Sequence, residues 1–133
     1  MLIAPFAESG MIYRLASEAE IKALGVELGR SDLGFPTFLA FDAAGQCIGH
    51  LAAKARDDVL EFAAVDASGQ YVLLSLVSFA EAWLASVGVR RYRFAVGDGS
   101  RLHAAVKKLT EIADIRPLGA DPWTGASFYE RRI

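Results

Sequence analysis

The stretch that decides the fold is Val59–Val96, VLEFAAVDASGQYVLLSLVSFAEAWLASVGVRRYRFAV. Its first seven residues, Val59–Val65, form an apolar run that is typical of a strand in a sheet. Its last seven, Arg90–Val96, alternate between charged and apolar residues, which also indicates a strand. Between them, Tyr71–Val89 carries apolar residues at helical spacing, and Gly88 marks the end of that helix. The stretch therefore predicts a strand, a long helix and a second strand.

The same helical stretch has the length of a membrane span. It contains 19 residues and one charge, Glu81, and length alone would allow it to cross a bilayer. However, its large apolar residues and its serines fall on different faces of a helix. A glutamate near the middle would also cost about 2.5 kcal/mol or more in lipid. We therefore expect an amphipathic helix buried in protein, and no membrane partner.

The residues before this stretch predict a strand, a helix and a hairpin. Met11–Ala16 alternates like a half-buried strand. Ser17 and Glu20 follow with the spacing of a capping box, which predicts a helix that begins at Ser17 and ends near Gly29. The runs Thr37–Phe41 and Cys47–Ala53 then flank a short connection that contains a glycine, as in a β-hairpin.

The residues after this stretch predict one more helix and one more strand. Leu102–Ile112 has helical spacing, and Ser127–Ile133 reads as a closing strand. The predicted order is β-α-β-β-β-α-β-α-β. Because no repeat or linker divides the chain, we expect a single α+β domain over residues 1–133.

Composition and charge narrow the possible partners. The chain has 133 residues, of which 53% are hydrophobic and 23% charged, and its net charge is −2. This balance predicts a folded domain and argues against a nucleic-acid partner. Residues 1–66 carry five basic and ten acidic side chains, whereas residues 67–133 carry nine basic and six acidic ones. The second half could attract an anion, but pairing of these charges on a solvated surface is the expected explanation of the count.

Cysteine and histidine are too few for a metal site. Cys47 is the single cysteine, which excludes an internal disulfide and suits a reducing compartment. His50 and His103 have no nearby cluster of ligating residues, so no metal is expected. The N-terminal residues lack the features of a signal peptide. We therefore expect a cytoplasmic protein.

The sequence also makes predictions about several individual side chains. Tyr71, Phe79 and Trp83 repeat at helical spacing, and Cys47 lies in a predicted strand, so we expect all four in the core. The arginines of Arg90–Val96 could bind an anionic partner or could guard an edge strand with charge.

The order of elements resembles the GCN5-related N-acetyltransferase (GNAT) superfamily over nearly the whole chain. Met11–Leu24 looks like the opening strand and helix of that family, and Phe38–Leu51 looks like its hairpin. The resemblance implies a central, mostly antiparallel, twisted sheet flanked by helices. It also implies direct transfer of an acetyl group from acetyl-CoA to an amine-bearing acceptor.

The resemblance implies particular site residues. Glu61, on the strand before the long helix, would be the catalytic base that takes a proton from the amine; a surface glutamate is the alternative. The backbone of that strand would pair with the pantetheine arm of the coenzyme, and the start of the helix would hold its pyrophosphate. The cofactor-binding candidates are Phe62, Ala63, Ala64, Val65, Ser68, Gly69, Gln70, Tyr71, Val72 and Ser100.

The chain departs from the family at the pyrophosphate motif. Only Gly69 stands at a position of the glycine-rich turn, and Tyr71 and Leu73 occupy positions where the family keeps small residues. An ordinary helical turn packed on the core is therefore the alternative. The corresponding function is a catalytically inactive GNAT-like protein of phage or other assemblies, virion-associated, with a protein or a second copy as partner. The segment Val96–Leu102 resembles such phage proteins.

Overall fold

The computed structural model describes residues 6–8, 10–31, 33–56, 59–97, 106–108, 110 and 113–133. These residues form eight strands and two long helices, and residues 106–108 are also helical. In chain order the elements are β1 (Phe6–Glu8), β2 (Met11–Leu15), α1 (Glu18–Leu28), β3 (Thr37–Phe41), β4 (Cys47–Arg56), β5 (Val59–Ala67), α2 (Gln70–Ser86), β6 (Arg91–Val96), β7 (Ile115–Ala120) and β8 (Ser127–Arg132).

The strands form one mixed sheet in the order β1-β2-β3-β4-β5-β6-β8-β7. Neighbouring strands run antiparallel except β5 and β6, which run parallel because α2 carries the chain back to the starting end of the sheet. The predicted α+β class with a mostly antiparallel sheet is confirmed.

The parallel pair β5–β6 is short. Its register joins Glu61 to Arg93 and Phe62 to Phe94, and beyond these two positions the strands are not paired. On the other side of β5, Ala53 of β4 lies opposite Phe62, whereas Ala52 lies opposite Ala64, a shift of register typical of a β-bulge. The bulge and the loss of pairing occur at the same point of β5, so the sheet opens between β5 and β6 there.

The main core lies between α2 and one face of the sheet, which we call the α2 face. The α2 side chains buried there are Val72, Leu76, Phe79, Ala80 and Leu84. Phe38 of β3 makes edge-on ring contacts with Phe79 and Trp83, with ring centroids 5.9 and 5.7 Å apart. A Cβ at Gly49 of β4 would come within 3.2 Å of a Val72 methyl group, so this glycine permits the close approach of α2 to β4.

The other face of the sheet, the opposite face, is covered only in part. Arg14 of β2 forms a two-point ion pair with Glu20, with both N–O distances 2.7 Å, which holds the start of α1 on this side. The predicted capping box is confirmed: the Glu20 amide donates to Ser17 Oγ, and the Ser17 amide donates to the Glu20 carboxylate. A Cβ at Gly34 would be 2.7 Å from the Ala53 carbonyl oxygen, so the loop after α1 passes directly over β4.

Two strands were not predicted. β1 has three residues, too few for a periodic signal. β7 contains Pro117 and Gly119, which are rare inside strands, and its register with β8 shifts between them. Of the predicted helix over residues 102–112, the structure describes residues 106–108, which are helical, and Thr110, which lies in a turn.

The long helix closes as predicted, and some side-chain expectations were wrong. Gly88 has φ of 87° just after α2, the left-handed conformation that ends a helix. Tyr71 is half exposed rather than buried, because it lies in the first turn of α2 outside the apolar stripe. Cys47 is exposed at the start of β4. β6 lies between β5 and β8, so protection of an edge strand does not explain its arginines.

Within the described ranges, no helix is long and apolar enough to cross a bilayer. α2 has 17 residues and packs its apolar face on the sheet.

The ion pair between Arg14 and Glu20 predicts an acid-dependent part of the stability. The hydrogen bond from Arg14 lowers the pKa of Glu20 from 4.5 to about 2, with a further contribution from the Ser17 amide. A pKa lowered by folding stabilises the native state above the unfolded value, and this stabilisation disappears as the pH falls towards the folded value. Glu20→Gln preserves the capping box but removes the ion pair. Because both side chains are about one-third exposed, we expect a loss of about 0.5 kcal/mol at neutral pH.

Urea unfolding at a series of pH values measures this effect. The difference between wild type and Glu20→Gln should be full above about pH 4.5, should shrink below it and should disappear as the pH falls below about 2. Glu18→Gln, in the same helical turn, is the matched control. A pH-independent difference for Glu20→Gln would contradict the role of the ion pair.

Candidate functional site

A cleft opens where β5 and β6 separate, beside α2. Its volume is about 250 Å³, and its walls are mostly apolar. Phe62 and Val65 line it from β5, Phe94 from β6, and Leu73 and Leu74 from α2. The fold explains the position of the cleft. β5 and β6 stop pairing beneath α2, and side chains line the gap that this leaves. A cleft with apolar walls suits the apolar part of a small ligand.

The N-terminus of α2 lies at one end of this cleft. Gln70, the first residue of the helix, lines the cleft, and no side chain caps the helix start because the N-cap residue is Gly69. The first amides of a helix have no acceptor within the helix, and the helix dipole adds positive potential there. An anionic group of a ligand in the cleft would therefore find hydrogen-bond donors at this end.

The predicted cofactor-binding residues fall into three groups. Phe62 is buried, and Val65, with 39% of its surface exposed, lines the cleft. Ser68, Gly69 and Gln70 form the exposed turn into α2, and Tyr71 is exposed in its first turn, whereas Val72 points its side chain into the core. The backbone of Ala63 and Ala64 belongs to β5, but their side chains, like the whole of Ser100, lie outside the described residues.

Glu61, the predicted base, lies beside the point where the sheet opens. It is half-buried on the opposite face, because its neighbours Leu60 and Phe62 pack on the α2 face. Its cross-strand neighbours are Lys54 on β4 and Arg93 on β6. The Glu61 carboxylate therefore lies at the point where the two strands separate, on the face away from the cleft.

A polar network that we did not predict lies at the other end of the cleft. The Tyr92 hydroxyl donates to Glu81 Oε2 over 3.0 Å, and Arg131 Nε donates to the same oxygen over 2.9 Å. All three side chains line the cleft. Burial raises the pKa of Tyr92, and the Glu81 carboxylate raises it further. Glu81 is the one charged residue in the α2 sequence, which indicated that it has a specific role. Its partners are too distant in the sequence to be predicted.

His50 is separate from the cleft. It is buried on the opposite face next to Asp66 in register, and burial lowers its pKa. Within the part of the chain that the structure describes, no group of three ligating side chains could hold a metal ion.

Removal of Glu81 should destabilise the fold more than removal of its tyrosine partner. Glu81→Ala leaves both the Tyr92 hydroxyl and the Arg131 guanidinium without their acceptor, and we expect a loss of about 2–4 kcal/mol. Tyr92→Phe removes one hydrogen bond and keeps the ion pair, with an expected loss of about 1 kcal/mol. Urea unfolding measures both values, and equal losses would show that the carboxylate does not join the two partners.

Comparisons with known proteins show what the architecture is similar to. No protein-family model matches the chain, and no curated protein matches it in sequence. Solved structures do match. A GCN5-related N-acetyltransferase from Kribbella flavida has 20% identity and a TM-score of 0.68, covering 93% of this chain and 98% of its own. Ribosomal-protein-S5-alanine acetyltransferase from Vibrio fischeri has 14% identity and a TM-score of 0.68, covering 98% and 97%.

A third similar structure contains a coenzyme. PaiA N-acetyltransferase from Thermoplasma acidophilum, solved in complex with coenzyme A, has 14% identity and a TM-score of 0.61, covering 83% of this chain and 66% of its own. All three are similar to this protein over most of its length. The chain has the fold of the GNAT N-acetyltransferases.

Proposed function

We propose that the protein is an N-acyltransferase that moves an acetyl group from acetyl-CoA to an amine. The observation that carries the proposal is the separation of β5 from β6 directly after Phe62 and Phe94. An apolar cleft and the start of α2 lie beside this separation, and Glu61 lies next to it on the opposite face. The similar structures are N-acetyltransferases, one of them solved with coenzyme A.

The residues of the cleft fit the parts of the coenzyme. After Phe62, the edge of β5 that faces β6 carries backbone groups without a strand partner, and these would pair with the amides of the pantetheine arm. Val65, Leu73 and Leu74 would contact its apolar portions. The amides at the start of α2, from Gly69 to Val72, would hold the pyrophosphate.

The reaction needs a base that takes a proton from the acceptor amine. When bound, the coenzyme supplies an acyl group activated as a thioester. The acceptor nitrogen must lose a proton as it forms the new amide bond, while the carbon–sulfur bond breaks and the coenzyme leaves as a thiolate that takes up a proton from solvent. Glu61 would accept that proton, directly or through a water molecule, because it lies on the opposite face at the splitting point. The positive charges of Lys54 and Arg93 beside it would make binding of the acceptor depend on the acceptor's charge.

Coenzyme A should stabilise the native protein. A ligand that binds only the folded state raises the unfolding temperature, by roughly 10 °C at about 100 times its dissociation constant. Leu74→Glu adds a negative charge to the wall of the cleft and should reduce this shift strongly. Val87→Glu adds the same charge at the far end of α2, at a residue of similar exposure, and should preserve the shift.

Differential scanning fluorimetry with acetyl-CoA and with coenzyme A measures these shifts. Adenosine alone is the ligand control. No shift in the wild-type protein would overturn the proposed function and favour the alternative of an inactive, assembly-forming relative.

Glu61→Gln should slow acyl transfer without weakening coenzyme binding. Loss of a general base lowers kcat/KM by about 100-fold or more, whereas the thermal shift with acetyl-CoA should be preserved. Asp66→Asn, on the same strand and face, is the matched control and should retain its rate.

The assay follows release of the coenzyme thiol with short peptides that carry a free N-terminal amine. Unchanged kcat/KM in Glu61→Gln would remove this residue from the role of base.

A further inference from the structure

Four arginines project from a part of the opposite face that none of the described helices covers. They are Arg91 and Arg93 on β6, Arg132 on β8 and Arg116 on β7, and all four are exposed. The register places Arg91 opposite Arg132, and places Arg93 and Arg116 on either side of Glu130. Directly opposed residues share a face of the sheet. We call this set the arginine face.

Arg93 is the one member of the arginine face that forms an ion pair within the described part of the chain. Glu130 is buried and bonds to Arg93, with a long Nε–Oε2 distance of 3.4 Å. Among the residues that the structure describes, no carboxylate forms an ion pair with Arg91, Arg116 or Arg132. Like charges directly opposite each other in a sheet are destabilising, so the pair Arg91–Arg132 costs free energy that an anionic partner would recover.

The location connects this face to the opening of the sheet. Arg93 belongs to the arginine face and is also the cross-strand neighbour of Glu61. An amine that approaches Glu61 carries positive charge before it loses its proton, and it meets Lys54 and Arg93 on either side. An acceptor with carboxylates near its amine would offset this repulsion, whereas a basic acceptor would increase it.

The size of the arginine face favours a polypeptide over a nucleic acid. Three adjacent strands and a two-residue step along β6 span about 10 by 7 Å, which matches a few residues of an extended peptide. A polynucleotide backbone needs a longer basic stripe, and here Glu61 lies opposite Arg93 and Asp114 is the backbone partner of Arg132. Guanidinium groups also bind carboxylates through two parallel hydrogen bonds.

We propose that the arginine face binds an acidic segment of the acceptor polypeptide and so directs its amine to Glu61. The proposal rests on the proposed acyltransferase function, and it names the class of acceptor: a polypeptide with aspartate or glutamate residues close to the amine that is acylated.

Fluorescence anisotropy with a short labelled peptide of alternating aspartate and glycine tests the binding step without coenzyme. The wild-type protein should bind it more weakly as salt increases, and should not bind the same peptide with asparagine in place of aspartate. The double variant Arg91→Gln/Arg132→Gln should lose about tenfold or more in affinity, as expected for the loss of charge-assisted hydrogen bonds.

Lys107→Gln/Lys108→Gln removes the same charge from exposed residues elsewhere and should leave the affinity unchanged. Equal losses in the two double variants, or no binding by the wild-type protein, would overturn the proposal. Tighter binding of single-stranded DNA that is lost with Arg91→Gln/Arg132→Gln would also overturn it, in favour of a nucleic-acid surface.

Activity provides the second readout. With acetyl-CoA, the acidic peptide should have a higher kcat/KM than its asparagine counterpart, and Arg91→Gln/Arg132→Gln should remove the difference mainly through KM. The thermal shift with acetyl-CoA should be the same in this variant as in wild type. Because anisotropy needs no coenzyme, its failure overturns the arginine face alone, whereas absence of a coenzyme shift overturns the acyltransferase function.

Discussion

The parallel pairing of β5 with β6 is the constraint on which the site depends. α2 packs over the middle of the sheet and returns the chain so that β6 runs beside β5, but the two strands share only two paired positions. The bulge opposite Ala52 and Ala53 turns β5 away at the same point. Had the strands stayed paired to their ends, the sheet would be continuous there, and the cleft, the start of α2 and Glu61 would not surround one opening.

The two faces of the sheet have different roles because different elements pack on them. On the α2 face, apolar side chains and α2 form the core, and the cleft is an extension of that core to the surface. On the opposite face, α1 and the loop after it cover the strands near β3 and β4, whereas the arginine face remains exposed. Glu61 lies on the opposite face between the part covered by α1 and the arginine face, with Lys54 on one side and Arg93 on the other.

Local patterns in the sequence were sufficient to predict most of the fold. The capping box of Ser17 and Glu20 and the glycine stop at Gly88 depend on neighbours within a few residues, and both are confirmed. β7 was missed because Pro117 and Gly119 have poor strand propensity, and its place is determined by pairing with β8. The prediction that Tyr71 lies in the core was wrong, because helical spacing identifies the apolar stripe of a helix but not where that stripe ends.

The site was harder to predict than the fold. The position of Glu61 on its strand follows from alternation, but its cationic neighbours come from β4 and β6 and depend on the register. The bonds of Glu81 to Tyr92 and Arg131 join residues 11 and 50 positions apart in the chain. The alternation of Arg91 and Arg93 was visible, whereas their grouping with Arg116 and Arg132 required the order β6-β8-β7.

The irregularity of β7 has a consequence for the behaviour of the protein in concentrated solution. β7 forms the outer edge of the sheet, where unpaired backbone groups could recruit a strand from another molecule. Pro117 has no amide hydrogen, the backbone shifts register before Gly119, and Arg116 adds charge. An incoming strand would therefore meet an interrupted row of donors and acceptors. Pro117 and Gly119 made β7 hard to predict from the sequence. The same two residues also oppose growth of the sheet into an aggregate.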